Sequence, residues 1–277
     1  MPEAVTELDI SGLIASGGML RLESAGGEAW RRANEASLAE YRDHHGAGNY
    51  PPLMLETFAM LEGFIGKWAK IWGADTLVDV GCGIGRDLPP YVRNLADAVT
   101  YVGLDPLDEN PERAYPFICG RLEDLGARPL DEKFGLALFA TSLDHFEDAR
   151  NALSLAARIA DGGRAVILCG VHDSPLTARK DVSTRIEQIC RIHRSFLSRT
   201  TAFLAFGLLT LPRLALALAR REARLRAGRP LDTLHVSYFT EESLRALLNG
   251  AGTVHEFVSC PGTNGILAAV TLSTDAS

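Results

Sequence analysis

Beyond Gly73 the chain alternates short apolar runs with stretches of helical spacing. The runs, at residues 76–80, 99–104, 117–119, 136–140 and 165–169, each have a length suited to a strand buried on both faces. Helix-like segments such as 148–160 separate them. Parallel neighbours need crossover connections, so the alternation predicts an α/β fold with a doubly wound, mostly parallel sheet. Near the end, residues 240–248 predict a capped helix closed by Gly250 and Gly252. Runs at 254–258 and 266–272 then predict a closing, hairpin-like pair, which brings the sheet to seven strands.

Upstream, apolar residues recur at helical spacing over 30–72, with Leu53, Phe58, Leu61, Phe64, Ile65 and Trp68 on the later part. The stretch from His45-Gly46 to Pro51-Pro52 interrupts them, which predicts two helices joined by a turn. Gly12, Gly17 and Gly18 break any long helical period before that, so the first residues are expected as a loose arm or lid. The expected division is an arm and helical cap over 1–72 and a sheet domain over 73–272. About 70 residues lie between Cys169 and the final helix, far more than an ordinary connection, so an insertion is expected over 177–230.

Composition narrows the function. With 277 residues, 47% of them hydrophobic and 23% charged, the chain can bury a sizeable core. Its net charge of −7 gives no general attraction to nucleic acid, and a nucleic-acid partner is not expected. The five cysteines, Cys82, Cys119, Cys169, Cys190 and Cys260, stand at least 21 residues apart. That spacing holds no CxxC motif and argues against a disulfide framework, which suggests a reducing compartment. The first 20 residues carry Glu3, Glu7 and Asp9 and no Lys or Arg, unlike a secretory signal, so a cytoplasmic location is expected. His44, His45 and His235 lack ligand partners at useful spacing, and no metal site is expected.

The strongest local motif is VDVGCGIGRD at 78–87, read as a buried strand running into a glycine turn and then a helix. Glycines allow positive φ and close backbone approach to a ligand, and a helix N-terminus offers free N–H donors. The spacing is G-x-G-x-G, with an acid two residues before the first glycine, rather than the G-x-G-x-x-G of dinucleotide enzymes. A tight turn that binds nothing is the plain alternative. The second element is Tyr101-Val102-Gly103-Leu104-Asp105-Pro106, with Asp105 at the carboxyl end of the next strand. An acid there can accept hydrogen bonds from both hydroxyls of a ribose, or it can cap a turn.

Taken in order, these motifs resemble those of class I S-adenosylmethionine-dependent methyltransferases, closely over 77–169 and more loosely over 234–272. The resemblance implies a Rossmann-like sheet and S-adenosylmethionine as cofactor. It implies that Asp79, Gly81 and Gly83 line the methionine portion, Asp105 the ribose, and residues 120–125 the adenine. Cys82, Pro106, Arg121, Leu122 and Thr141 are further cofactor-lining positions on this likeness; Arg121 stands where the family often has Asp, and Leu122 is the one expected to pack against the adenine ring. FGLALFATSLDHFED at 134–148 resembles the fourth-strand motif, and RIADGG at 158–163 the turn into the fifth strand, with Asp161 in place of a proline.

Methyl transfer is an in-line displacement at a sulfonium, and a base is needed only when the nucleophile arrives protonated. His145, just past the fourth strand, and His172, beyond the fifth, are the candidate bases. A structural histidine capping the next helix is the alternative for His145. The insertion holds a second signal: ten arginines against Glu187 and Glu222 over 183–230, and a stretch at 200–219 that is apolar on every face. Pro212 and Arg213 argue against a simple membrane span. A kinked pair of helices lidding the substrate, an element over 200–229 dipping into an anionic membrane surface, and a homo-oligomer interface all fit. The expected activity is methyl transfer to an oxygen, nitrogen or carbon of a small-molecule or lipid-like acceptor. The rivals are an NAD-dependent oxidoreductase and a catalytically silent, cofactor-binding partner protein.

Overall fold

The computed structural model describes residues 7–22, 50, 52–107, 112–171, 195–210, 237–261 and 263–274, with isolated positions between 186 and 223. The first helix expected within 30–72, the turn before Pro51 and most of the insertion lie outside the described residues.

In chain order the elements are α1 (Ile10–Ser16), β1 (Met19–Arg21), α2 (Pro52–Trp72), β2 (Thr76–Val80), β3 (Thr100–Asp105), β4 (Phe117–Cys119) and α3 (Leu122–Gly126). They continue with β5 (Leu136–Ala140), α4 (Ala149–Ile159), β6 (Arg164–Gly170), α5 (Phe196–Ala205), α6 (Glu241–Ala251), β7 (Gly252–Ser259) and β8 (Gly265–Leu272). One sheet runs in the order β1-β4-β3-β2-β5-β6-β8-β7. Its first six strands are parallel, and β8 lies antiparallel between β6 and β7.

The strands are apolar on both faces because each face is covered. Along β5, Leu136 and Leu138 join one core while Ala137 and Phe139 join the other, and β6 divides Val166 and Leu168 from Ala165 and Ile167 in the same way. α4 and α6 cover the first face through residues such as Leu153 and Leu244. α2 covers the second through Phe58, Leu61, Phe64, Ile65 and Trp68, so the helix ending at Trp72 is packed on the sheet itself.

Two expectations need correction. The sheet has eight strands rather than seven, because the expected loose arm is ordered over 7–22. Asp9 caps α1 by accepting from the Gly12 N–H at 2.7 Å, and Gly17, at φ +63°, ends it. A short helix thus accommodates Gly12 in its first turn and ends at Gly17, and β1 then adds to the β4 edge in parallel register. Second, no helix follows the glycine turn at 81–85. In a helix opening at Gly85, the carbonyls of Gly85 and Arg86 would need the N–H groups of residues 89 and 90, which are prolines whose rings also clash with those carbonyls, so the chain continues as turns to a 3₁₀ segment at Arg93–Leu95.

Candidate active site

The carboxyl ends of the parallel strands carry the conspicuous polar groups, as expected for a crevice in an open α/β sheet. At the end of β2 the backbone turns through Gly81 (φ +78°) and Gly83 (φ +75°). The N–H groups of Gly81 and Cys82 both donate to the Leu104 carbonyl, at 2.8 and 3.2 Å. Cys82 fills the space that Gly103 leaves, since a Cβ there would lie 2.7 Å from its Sγ, and burial pushes its thiol pKa well up. Cys82 is partly exposed, and its Sγ donates to the Gly83 carbonyl within the turn.

Asp105, only 6% exposed at the end of β3, accepts from the Gly83 N–H at 2.8 Å and the Leu107 N–H at 2.9 Å. Pro106 follows it and starts the turn out of the strand. These two bonds tie the glycine turn to the β3 end and fix both carboxylate oxygens.

Asp79 is fully buried. One oxygen accepts from the hydroxyls of Tyr91 and Tyr101, each at 2.7 Å, and the other has no hydrogen-bond partner. Burial outweighs the two tyrosine bonds and pushes the acid up to about pKa 7. The folded protein therefore binds a proton here between about pH 4 and 7 that the unfolded chain does not, and stability falls as pH rises through that window. Asp79→Asn is expected to melt above wild type at pH 8 in the ligand-free protein, with the gap closing towards pH 4, while binding S-adenosylhomocysteine less tightly. Thermal melts across pH and calorimetric titration check the pair of effects; a constant gap in melting temperature removes Asp79 as the titrating group.

At the end of β4, Arg121 is the N-cap residue of α3, and its guanidinium pairs with Glu123 at 2.8 Å. Leu122 is 2% exposed and packs into the core with Leu125. Arg121 is thus the more accessible of the two side chains expected at the adenine.

At the end of β5, Thr141 holds φ +65°, the single non-glycine residue with positive φ among those described. Such a conformation persists only where the surroundings enforce it, and it recurs at functional sites. Its N–H donates to the Leu168 carbonyl at 2.8 Å, and the Ser142 hydroxyl donates to the Val80 carbonyl. His145 follows in a 3₁₀ turn with its Nε2 3.7 Å from the Asp144 carboxylate, and the imidazole is partly exposed. It does not cap the next helix: Asp148 caps α4, accepting from the Asn151 N–H at 2.9 Å. Val171 and Ser237, near the two ends of the insertion, are both fixed at this rim. Val171 bridges to Phe239 and the Ser237 N–H donates to the Asp144 carbonyl at 2.9 Å. His172 lies outside the described residues.

Two parts of the site escaped the sequence reading. A tyrosine inside a buried strand needs a partner for its hydroxyl, so Tyr101 carried a weak signal, but its acceptor is 22 residues away. Arg113, whose guanidinium reaches the carbonyls of Gly83 and Gly85, carried none.

This sheet, with an antiparallel strand inserted next to its last parallel one and a glycine turn facing an acid on the next strand, defines a Rossmann-like S-adenosylmethionine-dependent methyltransferase. Residues 43–254 match the sequence model of a family described as a methyltransferase domain, and the chain belongs to that family. No curated protein matches it in sequence. Among solved structures, the plantazolicin methyltransferase BamL in complex with a triazolic desmethylPZN analog and SAH is similar over 90% of this chain and 94% of that one, at 10% identity and TM-score 0.51, a likeness of fold. Plantazolicin methyltransferase BpumL in complex with SAH covers 90% and 95% at 12% identity, with TM-score 0.48. A SAM-dependent methyltransferase from Thermotoga maritima covers 87% and 99% at 17% identity, with TM-score 0.42.

The residues present fit the cofactor. A Cβ at Gly81 would stand 2.7 Å from Ser142, so the backbone has room only as glycine, and Asp79 keeps a spare, buried acceptor beside the turn.

Proposed function

We propose that the protein methylates an oxygen, nitrogen or carbon nucleophile of a small-molecule or lipid-like acceptor, with 73–272 as the cofactor-binding domain and 177–230 as a lid over the acceptor. What supports this reading is that Val171 and Ser237, which flank the insertion in sequence, are both fixed beside Thr141–His145. When bound, the cofactor supplies a sulfonium methyl group for in-line displacement. Asp105 accepts the ribose hydroxyls, and the spare oxygen of Asp79 takes the methionine ammonium directly or through a water. The glycine turn lets the backbone approach, and Arg121 borders the adenine. His145, with its Nε2 beside the Asp144 carboxylate, takes a proton from a hydroxyl or amine at the acceptor atom. His172 is a second candidate for that role.

Replacing residues 200–219 by a short Gly/Ser linker is expected to leave affinity for S-adenosylmethionine within about threefold, under about 0.7 kcal/mol, while abolishing turnover of the native acceptor. The check is release of S-adenosylhomocysteine in an extract of the source cells. Wild-type turnover by the linker variant defeats the lid, and no release by the intact protein favours the catalytically silent alternative.

One observation favours a membrane-facing acceptor. α5 buries none of its residues, and Phe196 and Leu197 are 84% and 80% exposed, within the segment that holds ten arginines. No described helix is long and apolar enough to cross a membrane. Exposed apolar residues in an arginine-rich stretch of sequence suit peripheral contact with anionic head groups. Co-sedimentation with anionic liposomes, lost at high salt, is the expected result.

A further inference from the structure

Three glycines lie within five residues of the cofactor turn, and glycine loses more backbone freedom on ordering than any other residue. A helix that continued from Gly85 would hold the turn, but Pro89 and Pro90 forbid it. Something else must satisfy the carbonyls of the turn and keep them in place. Arg113, on the connection between β3 and β4, reaches them.

Its Nη1 donates to the carbonyls of Gly83 at 2.9 Å and Gly85 at 3.1 Å and to the Tyr115 hydroxyl at 2.6 Å. Nη2 donates to the Leu107 carbonyl at 3.1 Å, two residues beyond Asp105. The Tyr115 hydroxyl in turn donates to the Gly85 carbonyl at 2.7 Å. The guanidinium lies 3.7 Å from the centroid of the Phe117 ring, where it stacks, and the backbone closes the strap with the Ala114 N–H donating to the Arg86 carbonyl at 2.9 Å. The two Nη groups of the planar guanidinium reach these acceptors together, Nη1 being shared among three of them and Nε left without a partner, whereas a lysine ammonium is one compact donor group with a shorter total reach.

We propose that Arg113 is the positioning residue of the cofactor turn, standing in for the missing helix. It joins the turn to the β3 end that carries Asp105, so the two halves of the cofactor cradle move as one piece. The cost of ordering the turn is then met on folding rather than on binding. Without Arg113 that cost falls on cofactor binding, and affinity drops although no atom that meets the cofactor has been removed. The inference rests on the reading of this turn and Asp105 as the cofactor site.

The test is calorimetric titration of S-adenosylhomocysteine into Arg113→Met, Arg113→Lys, Asp105→Ala and Leu244→Ala, with thermal melts and amide hydrogen exchange across residues 81–88. Leu244, on α6, lies in the core on the other face of the sheet and serves as a control for global destabilisation. R113M is expected to bind at least 30-fold more weakly and R113K at least fivefold. Exchange across 81–88 is expected to quicken in both free variants and to slow again at saturating ligand. Should R113M fail to fold, R113K decides. Wild-type affinity or wild-type exchange in folded R113K overturns the proposal, as does equal weakening by L244A at the same loss of melting temperature. If D105A weakens binding and R113K does not, the strap alone is lost; if neither does, the site reading falls with it.

Discussion

Asp105→Ala is expected to weaken S-adenosylhomocysteine binding by about 1.5–3 kcal/mol, roughly tenfold to more than a hundredfold. The carboxylate is almost wholly buried, so the bonds proposed from it to ribose hydroxyls would form with little competition from water. Its removal acts twice, because the Gly83 and Leu107 N–H groups lose their acceptor and the turn loses a tie to β3. Asp105→Asn keeps one acceptor and the shape of the side chain, and is expected to fall between alanine and wild type. Calorimetry measures the series, and an unchanged dissociation constant in folded D105A removes the residue from the site.

Gly81→Val should cost more, and in stability as well as binding. At φ +78° a β-branched residue is strained by about 1–2 kcal/mol. Its Cβ would also stand 2.7 Å from the Cβ of Ser142, a crowding that typically costs about 1–3 kcal/mol. Ser142 is buried and its hydroxyl donates to the Val80 carbonyl, so it cannot swing aside without leaving that bond unmade. A loss of about 2–5 kcal/mol in urea unfolding is expected, together with failure to bind S-adenosylhomocysteine in whatever folds. Gly83→Val, at φ +75° on the same turn, should impair binding in the same direction. Near-normal stability of G81V would show that the turn relaxes, and near-normal affinity of G83V would count against the glycine turn as the cradle.

Where the pattern was local, the sequence was informative. Strands β2, β4, β5 and β6 fall on the apolar runs at 76–80, 117–119, 136–140 and 165–169, since a strand covered on both faces is a short continuous apolar run wherever it sits. The helix-like segment at 148–160 is observed as α4 behind its Asp148 cap, and the last two strands pair antiparallel as their closeness in sequence suggested. Reasoning from a single glycine failed in both directions. Gly12 and Gly17 did not loosen the amino-terminal segment, because a seven-residue helix can hold Gly12 in its Asp9-capped first turn, stop on Gly17 and anchor itself through Ile10 and Leu13. The glycines at 81–85 did not open a helix, because the prolines beyond them override the motif.

By itself the sequence determined the α/β alternation and the order of the motifs, both of which depend on residue spacing within a few turns of chain. Only the tertiary structure decided that β1 extends the sheet beside β4, and that Asp79 meets two tyrosines in a buried pocket where its acidity shifts towards neutrality. It also decided that Arg113 holds a turn some 30 residues away. Strand pairing, burial and a guanidinium's choice of acceptors are long-range properties, set by how the sheet stacks distant segments together rather than by any period the chain carries along its length.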